Sequence, residues 1–274
     1  MVPETEGADT RFDRDTAVEP AGPGCFRARV DPGWWVARGP NGGYVAALVL
    51  RALRLAVADP ARTPRSLTVH YTAPPVEGPA EIETRIERSG RSLTTVTGRL
   101  SQQDRLLAVA VAAFSRSREA PSFQEGTMPA APPPEACPVM PGRIPIHARY
   151  ELRHALGALP FSGAASAHGG GWIRLAEGRR PLDALLVSAY ADAWPPSFFA
   201  RLTGDGQIGR GVPTVDLTLH FRAALPRTRD RSDDYTLVSF RSRYADEGFV
   251  EEDGEIWSRD GRLLAQSRQL ALLL

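Results

Sequence analysis

Lysine is missing from this chain of 274 residues, and all 33 positions that could hold lysine or arginine hold arginine. Chemistry that needs a lysine amine, such as Schiff-base formation or attack by a lysine nucleophile, is therefore excluded. An excess of one charge is also missing, because the 33 arginines face 32 aspartates and glutamates and leave a net charge of +1. Such a balance gives no sign of a nucleic-acid partner or of binding to a membrane surface.

Cysteines are few, and long apolar runs are lacking. Cys25 and Cys137 are the only cysteines, and they form neither a metal-binding nor a redox spacing. So few thiols are typical of the reducing cytosol. The N-terminus is polar and acidic without the apolar core of a signal peptide, and no segment is long enough to cross a bilayer. We expect a cytoplasmic protein that needs neither a metal nor another cofactor.

The stretch from 39 to 55, GPNGGYVAALVLRALRL, is the centre of the first half of the chain. Asn41 can cap a helix, and Gly42 and Gly43 allow a second backbone to come close. The apolar residues that follow surround the helix on nearly all sides, which predicts a helix enclosed by other elements. Four segments with the composition of β-strands come next, at 66–71, 80–88, 92–101 and 106–115.

The same order recurs in the second half. An apolar segment at 181–202 predicts a second helix, and four β-like segments follow at 214–222, 235–243, 249–258 and 263–273. LTVHY at 67–71 matches LTLHF at 217–221, so we interpret the chain as an internal duplication. A proline-rich stretch predicts a linker, which divides the chain into modules 1–119 and 147–274 joined by residues 120–146. The glycine run at 169–171 is interpreted as a loop that leads into a strand.

This organisation, with its GPNGGY helix start, resembles the double-hotdog acyl-CoA thioesterases of the thioesterase II family. The resemblance covers both halves, from about residue 25 to the C-terminus. It implies an α+β fold in which two hotdog modules share one continuous antiparallel sheet wrapped around two central helices. It also implies a hydrolase of lipid metabolism that cleaves the thioester of acyl-CoA or acyl-carrier substrates. A homo-oligomer is compatible with this fold.

The resemblance further implies a trio of catalytic residues. Family members hold the attacking water with an aspartate, a threonine or serine, and a glutamine. The matching positions here are Asp192 on the second helix, Thr214 in TVD at the start of the next strand, and Gln269 after the LLA step of the last strand. A carboxylate in an apolar segment is costly to bury unless it is hydrogen-bonded or used, which favours a role for Asp192.

Each member of the trio also has a structural alternative. Asp192 can cap a break at the two prolines that follow, Thr214 can reflect β-propensity alone, and Gln269 can point outwards. A shift of register would put Gln266 or Arg268 in the place of the glutamine. In the first half the equivalent positions hold residues that cannot activate water, so we expect one site per chain; these residues are Gly42 with Gly43, Pro64 and Ala112.

Five residues are candidates for substrate binding. Backbone N–H groups at Gly42 and Gly43 can stabilise an oxyanion at a helix start, although close packing explains these glycines equally well. Trp34 and Tyr44 near the first helix, and Trp194 near the second, offer aromatic surface to an acyl chain, with core packing as the alternative.

Two other functions remain open at this point. Hotdog dehydratases use a histidine with a helix carboxylate, so His220 with Asp192 would indicate a dehydratase or cyclase that acts on a hydroxyacyl or polyketide thioester. His70 occupies the equivalent position in the first half, which favours a structural role for both histidines. The remaining possibility is an acyl-binding module without catalysis.

Overall fold

One antiparallel sheet forms the framework of the molecule. The computed structural model describes residues 10–36, 39–142, 144–178, 180–204, 211–226 and 234–274. Within these residues the strands are β1 (Val18–Gly22), β2 (Cys25–Val30), β3 (Arg62–Tyr71), β4 (Gly78–Ser89), β5 (Leu93–Gln102), β6 (Arg105–Arg116), β7 (Tyr150–Gly157), β8 (Ala167–Leu175), β9 (Thr214–Phe221), β10 (Thr236–Ser242), β11 (Ala245–Asp246), β12 (Phe249–Trp257) and β13 (Leu263–Leu272). The α-helices of the same residues are α1 (Arg11–Asp15), α2 (Gly42–Val57) and α3 (Ala184–Tyr190).

The strand order is symmetric about the middle of the sheet. Along the sheet the strands follow the order β1-β2-β4-β5-β6-β3-β9-β13-β12-β10-β8-β7, and the short β11 pairs with β12. The first six strands of this path come from the first half of the chain and the last six from the second. Thr68 and Thr218 lie opposite each other where β3 meets β9, and their hydroxyls are 3.1 Å apart. These two threonines are 150 residues apart in sequence, so β3–β9 is the axis of the repeat.

The predicted first helix is confirmed as α2. The side chain of Asn41 caps it by accepting a hydrogen bond from the Tyr44 N–H over 3.1 Å. The helix ends at Ala58, whose left-handed backbone (φ 51°) closes the last turn. Most of its side chains are buried, including every residue from Gly43 to Leu50, and it packs against the inner face of β3 to β6. The strands of the first half therefore cover α2 on one side.

The second helix is shorter than the 181–202 segment that the sequence predicts. It ends at Tyr190, and a separate 3₁₀ helix spans Ser197–Arg201. Pro195 and Pro196 prevent a continuous helix up to residue 202, because proline has no N–H to donate and restricts the residue before it. Asp192 consequently lies in the turn after α3, and its prediction as a residue inside a helix is wrong.

The glycine run belongs to a strand, which corrects its interpretation as a loop. Residues 169–171 lie in the middle of β8, between β7 and β10. A Cβ at Gly170 would collide with the Val238 carbonyl, and a Cβ at Gly171 would lie 2.8 Å from the Trp194 ring. Glycine is needed here because neighbouring backbone and an indole ring occupy the space of a side chain.

The described part of the proline-rich segment packs along the edge strand β7 and its neighbour β8. The indole N–H of Trp172 donates to the Pro132 carbonyl over 2.8 Å. Arg153 donates to the carbonyls of Pro134 and Cys137 over 3.2 Å each. Among the residues described, no helix is both long and apolar enough to cross a membrane.

Candidate active site

Asp192 lies at the N-terminus of α2. Its Oδ2 accepts hydrogen bonds from Asn41 Nδ2 over 2.8 Å and from the Gly43 N–H over 3.1 Å. Asn41 Nδ2 also donates to the Asp192 carbonyl over 2.6 Å. The positive end of a helix and two donors stabilise a carboxylate at this point. Burial nevertheless dominates and raises the pKa of Asp192 to about 6, while hydrogen bonds from Gly43, Gln269 and Asn41 oppose the rise.

Gly42 and Gly43 make room for this arrangement. A Cβ at Gly43 would lie 2.6 Å from the Ala189 carbonyl oxygen, so the glycine allows α2 to touch the end of α3. A Cβ at Gly42 would lie 3.0 Å from Asp192 Oδ2, and the Tyr71 hydroxyl donates to the Gly42 carbonyl over 2.7 Å. The two glycines are thus in direct contact with the predicted catalytic residue, and the Gly43 N–H is bonded to its carboxyl.

Gln269 points to the inner face of the sheet. It is 7% exposed, and its neighbours on β13 alternate between the two faces. The two register alternatives face outwards: Gln266 accepts a hydrogen bond from Arg222, and Arg268 forms an ion pair with Asp253. The position predicted for the glutamine is therefore the one that faces the inside.

Thr214 reaches the same face because the strand pairing is irregular. Thr214 lies opposite Ala271, and the register between β9 and β13 shifts at Val215. Such a bulge re-aims the side chain that follows or precedes it. The Thr214 hydroxyl donates to Gln269 Oε1 over 3.1 Å. The first half has the same irregularity in β3, where Pro64 stands in the equivalent place and offers no hydroxyl.

The structure therefore brings the three predicted residues together. Gln269 contacts Thr214 directly, and its side chain lies close enough to Asp192 to lower the pKa of that carboxyl. All three belong to the second half, on elements that meet at the N-terminus of α2. A carboxylate, a hydroxyl and an amide at one point are groups that can bind and deprotonate a water molecule.

A second carboxyl group lies at this site, that of Glu252 on β12, and it was not among the residues predicted from the sequence. It is 7% exposed and lies directly opposite Gln269. Burial raises its pKa to about 7, the charge of Asp192 adds to the rise, and hydrogen bonds from Ser197 and Gln269 oppose it. The sequence held a signal: Val250 and Ile256 are inward positions of the strand, and period two puts residue 252 on the same face. Because Glu252 stands in the acidic run EED, the sequence around it has the composition of a solvent-exposed segment.

Trp34 and Tyr44 lie in the core and not with the trio. Their rings stack with centroids 5.2 Å apart, and the Tyr44 hydroxyl donates to the Asp15 carbonyl over 2.7 Å. The Trp34 indole N–H donates to the Asp15 carboxylate over 2.8 Å. These contacts hold α1 against the start of α2. Trp194, two residues after Asp192, is 5% exposed and lies against the glycines of β8.

The rival pair of His220 and Asp192 is not assembled. His220 is exposed and alternates with Leu219 and Phe221, which are buried on the inner face of β9. His70 is exposed at the equivalent place in β3. Both histidines therefore face away from the carboxyl groups of the site.

Comparison with known proteins agrees with this architecture. The family pattern of the acyl-CoA thioesterase N-terminal domain matches residues 31–116, and that of the acyl-CoA thioesterase C-terminal domain matches residues 125–273. The chain therefore belongs to the acyl-CoA thioesterase family, and the resemblance stated from its sequence is confirmed. This family membership supports thioester hydrolysis as the general class of reaction.

Solved structures confirm the predicted double hotdog fold. A protein of unknown function with a hotdog fold from Alicyclobacillus acidocaldarius is 30% identical, with a TM-score of 0.87 over 97% of this chain and 98% of that one. The acyl-CoA thioesterase II of Mycobacterium marinum has a TM-score of 0.77 at 22% identity, over 96% and 98% of the two chains, which is a likeness of fold. An uncharacterized protein of Mycobacterium tuberculosis is 25% identical over 289 residues, covering 93% of this chain and 94% of its own.

Proposed function

We propose that this protein hydrolyses the thioester of an acyl-CoA or acyl-carrier substrate with a water held by Asp192, Thr214 and Gln269. The observation that carries the proposal is the position of Gln269, which bonds to the Thr214 hydroxyl and lies against the Asp192 carboxyl. Membership of the acyl-CoA thioesterase family supplies the reaction class. The same proposal includes the identity of the substrate, a role in lipid metabolism and a cytoplasmic location.

In the proposed mechanism Asp192 acts as the general base. It takes a proton from the water as the water oxygen bonds to the thioester carbon, and the C–S bond then breaks. The proton passes from Asp192 to the departing sulfur, which leaves a carboxylic acid and a thiol. Because the Thr214 hydroxyl donates its hydrogen bond to Gln269, its oxygen is free to accept a hydrogen bond from the water. The N-terminus of α2 would stabilise the oxyanion through the positive end of the helix dipole, since the Gly43 N–H is already bonded to Asp192.

The division into modules and the route of the acyl chain are part of this proposal. The mirror order of the strands supports modules at 1–119 and 147–274 with residues 120–146 between them. Trp194 is the aromatic residue best placed to contact an acyl chain, since it follows Asp192 by two residues and fills the space above β8. Trp34 and Tyr44 would contribute by holding α2 in place. The proposal also includes a homo-oligomeric state.

The trio predicts a characteristic loss of activity. With an acyl-CoA as substrate and a thiol-trapping reagent as the readout, Thr214→Val and Gln269→Ala should each lower kcat by about tenfold. The double variant should lose little more than the worse of the two, because both residues orient one water. Thr218→Val is a matched control, since this threonine lies on the same strand and bonds to Thr68 at the middle of the sheet.

Two results would contradict this assignment. If the losses of Thr214→Val and Gln269→Ala multiplied in the double variant, the two residues would act on separate steps. If neither an acyl-CoA nor an acyl-carrier thioester, short or long, released a thiol with the unaltered protein, the proposed hydrolysis would be wrong.

The carboxyl groups also predict the dependence of activity on pH. The base must be ionised, so kcat/KM should fall as the pH drops through the pKa values of Asp192 and Glu252, which are about 6 and about 7. Because the two carboxyl groups interact, the acid limb of the pH profile reports the titration of both groups together. A pH profile of kcat/KM should therefore begin to fall near pH 7 and should fall at least tenfold per pH unit below about 6. A limb near 4, the value of an ordinary carboxyl group, would contradict the role of Asp192 as base.

A further inference from the structure

Glu252 and Gln269 form a cross-strand pair on the inner face of β12 and β13. Both side chains are 7% exposed. A carboxyl group buried among apolar side chains is costly unless both of its oxygens find donors. Here they do: Gln269 Nε2 donates to Oε1 over 2.9 Å, and the Ser197 N–H donates to Oε2 over 2.5 Å.

The Ser197 contact connects Glu252 to the segment that carries Asp192. Pro195 and Pro196 have no N–H, so Ser197 offers the first backbone donor after the break. The Ser197 hydroxyl lies 3.0 Å from that of Ser242 on β10, which fixes the start of the 3₁₀ helix. Glu252 therefore holds Gln269 with one oxygen and the turn after Asp192 with the other.

The side-chain amide of Gln269 has two ends with opposite hydrogen-bonding character. Its Oε1 accepts from the Thr214 hydroxyl, and its Nε2 donates to Glu252 and faces Asp192. A rotation by half a turn would place Oε1 against Glu252, and two acceptors would then oppose each other. In that orientation the Thr214 hydroxyl would have to accept from Nε2, which uses one of its two lone pairs and leaves its proton without Gln269 as acceptor. Glu252 thus selects the orientation that the proposed mechanism needs.

We infer that Glu252 is a positioning residue of the hydrolytic site, which fixes the Gln269 amide so that its NH₂ group faces Asp192 and the Thr214 oxygen stays free for the water. The inference rests on the proposed function and adds a residue to it. Glu252 needs no contact with the substrate for this role. It acts through Gln269, so its loss should change kcat and leave KM nearly unchanged.

Glu252→Gln is the decisive substitution because it preserves size and removes one acceptor. Both partners of Glu252 are donors, so an amide at this position can satisfy only one of them. We expect kcat to fall by about tenfold with KM within about twofold, and Glu252→Asp, which keeps the carboxylate, to recover part of the loss. Glu255→Gln is the matched control, since Glu255 faces Gln266 across the same two strands on the outer side of the sheet. Its kcat should stay within about twofold of the unaltered protein.

A double-mutant cycle separates positioning from a general structural effect. In a Gln269→Ala background, Glu252→Gln should change kcat by less than about twofold, because the group that it orients is gone. An undiminished tenfold loss in that background would overturn the inference. A loss as deep as that of Asp192→Asn would also overturn it, since Glu252 would then be the base itself.

A second measurement keeps the inference independent of activity. The side-chain NH₂ signals of Gln269, assigned in ¹⁵N–¹H spectra by their loss in Gln269→Ala, should shift and exchange faster with solvent in Glu252→Gln. They should be unchanged in Glu255→Gln. Unchanged Gln269 signals in Glu252→Gln would overturn the proposed orientation. If the unaltered protein released no thiol from any acyl-CoA or acyl-carrier thioester while these signals responded, the proposed function would fail and the contact that fixes Gln269 would stand.

Discussion

Replacing Asp192 with asparagine is expected to lower kcat by about a hundredfold or more and to leave KM nearly unchanged. Asparagine keeps the size of the side chain and one oxygen that can accept from Asn41 and Gly43, so the turn after α3 should persist. It removes the base, which acts only in the chemical step. Thiol release measured over a range of acyl-CoA concentrations gives kcat and KM separately.

Asp216→Asn is the control for this experiment. Asp216 lies on β9 two residues after Thr214 and is partly exposed, so the same chemical change there should leave kcat within about twofold. An Asp192→Asn protein with near-native turnover would end the assignment of the base.

The Asp192→Asn variant should be at least as stable as the unaltered protein at neutral pH. The pKa of Asp192 is about 6 in the folded protein and near 3.8 when unfolded, so the folded state disfavours its charged form. The stability contributed by this group is present at low pH and is lost as the pH rises towards 6. The stability advantage of Asp192→Asn should therefore be larger at pH 7.5 than at pH 5 in urea unfolding. An advantage that grew at pH 5 would contradict the raised pKa.

Gly43→Ala is expected to be the most damaging of the small substitutions. The added methyl group would lie 2.6 Å from the Ala189 carbonyl oxygen and 3.0 Å from that of Ser188, and both are backbone atoms that cannot move alone. Relief requires α2 and α3 to separate, at a cost of about 2–3 kcal/mol in the free energy of unfolding. The separation would also pull the Gly43 N–H away from Asp192, so kcat should fall as well.

Gly90→Ala is the matched control for Gly43→Ala. Its Cβ would lie 3.5 Å from the Leu93 carbonyl oxygen, an ordinary contact, in the turn between β4 and β5. Urea midpoints of the two variants should differ clearly, with Gly90→Ala close to the unaltered protein. Equal midpoints would mean that the two helices do not need this close contact.

The fold could be predicted where local and global signals agree. α2 has a cap at Asn41, small residues at its start and apolar residues on all sides, and each of these favours the same buried helix. The second helix was overestimated because its composition stays apolar up to residue 202, while the backbone chemistry of Pro195 and Pro196 ends it earlier. The glycines of β8 indicate a loop in the sequence because the Val238 carbonyl and the Trp194 ring, which leave no room for side chains at Gly170 and Gly171, come from other parts of the chain.

The site could be predicted only in part. Asp192, Thr214 and Gln269 were found through the family resemblance, and the structure brings them together. The bulge that turns Thr214 inwards depends on pairing with β13 and cannot be read from β9 alone. Glu252 was missed because its burial depends on a Ser197 N–H that only the fold brings near. A carboxyl group in an acidic run carries no local sign that it is enclosed.

The contact between Gly42 and Asp192 explains what a single tandem chain can do that a symmetric pair of half-length chains cannot. Gly42 begins the helix of the first half, whereas Asp192 follows the end of the helix of the second half, and the two residues touch. Two identical subunits would carry the same residues in both halves and would therefore form two equivalent sites. Covalent linkage breaks that symmetry: one copy contributes the acid, and the other contributes a bare backbone that shelters it.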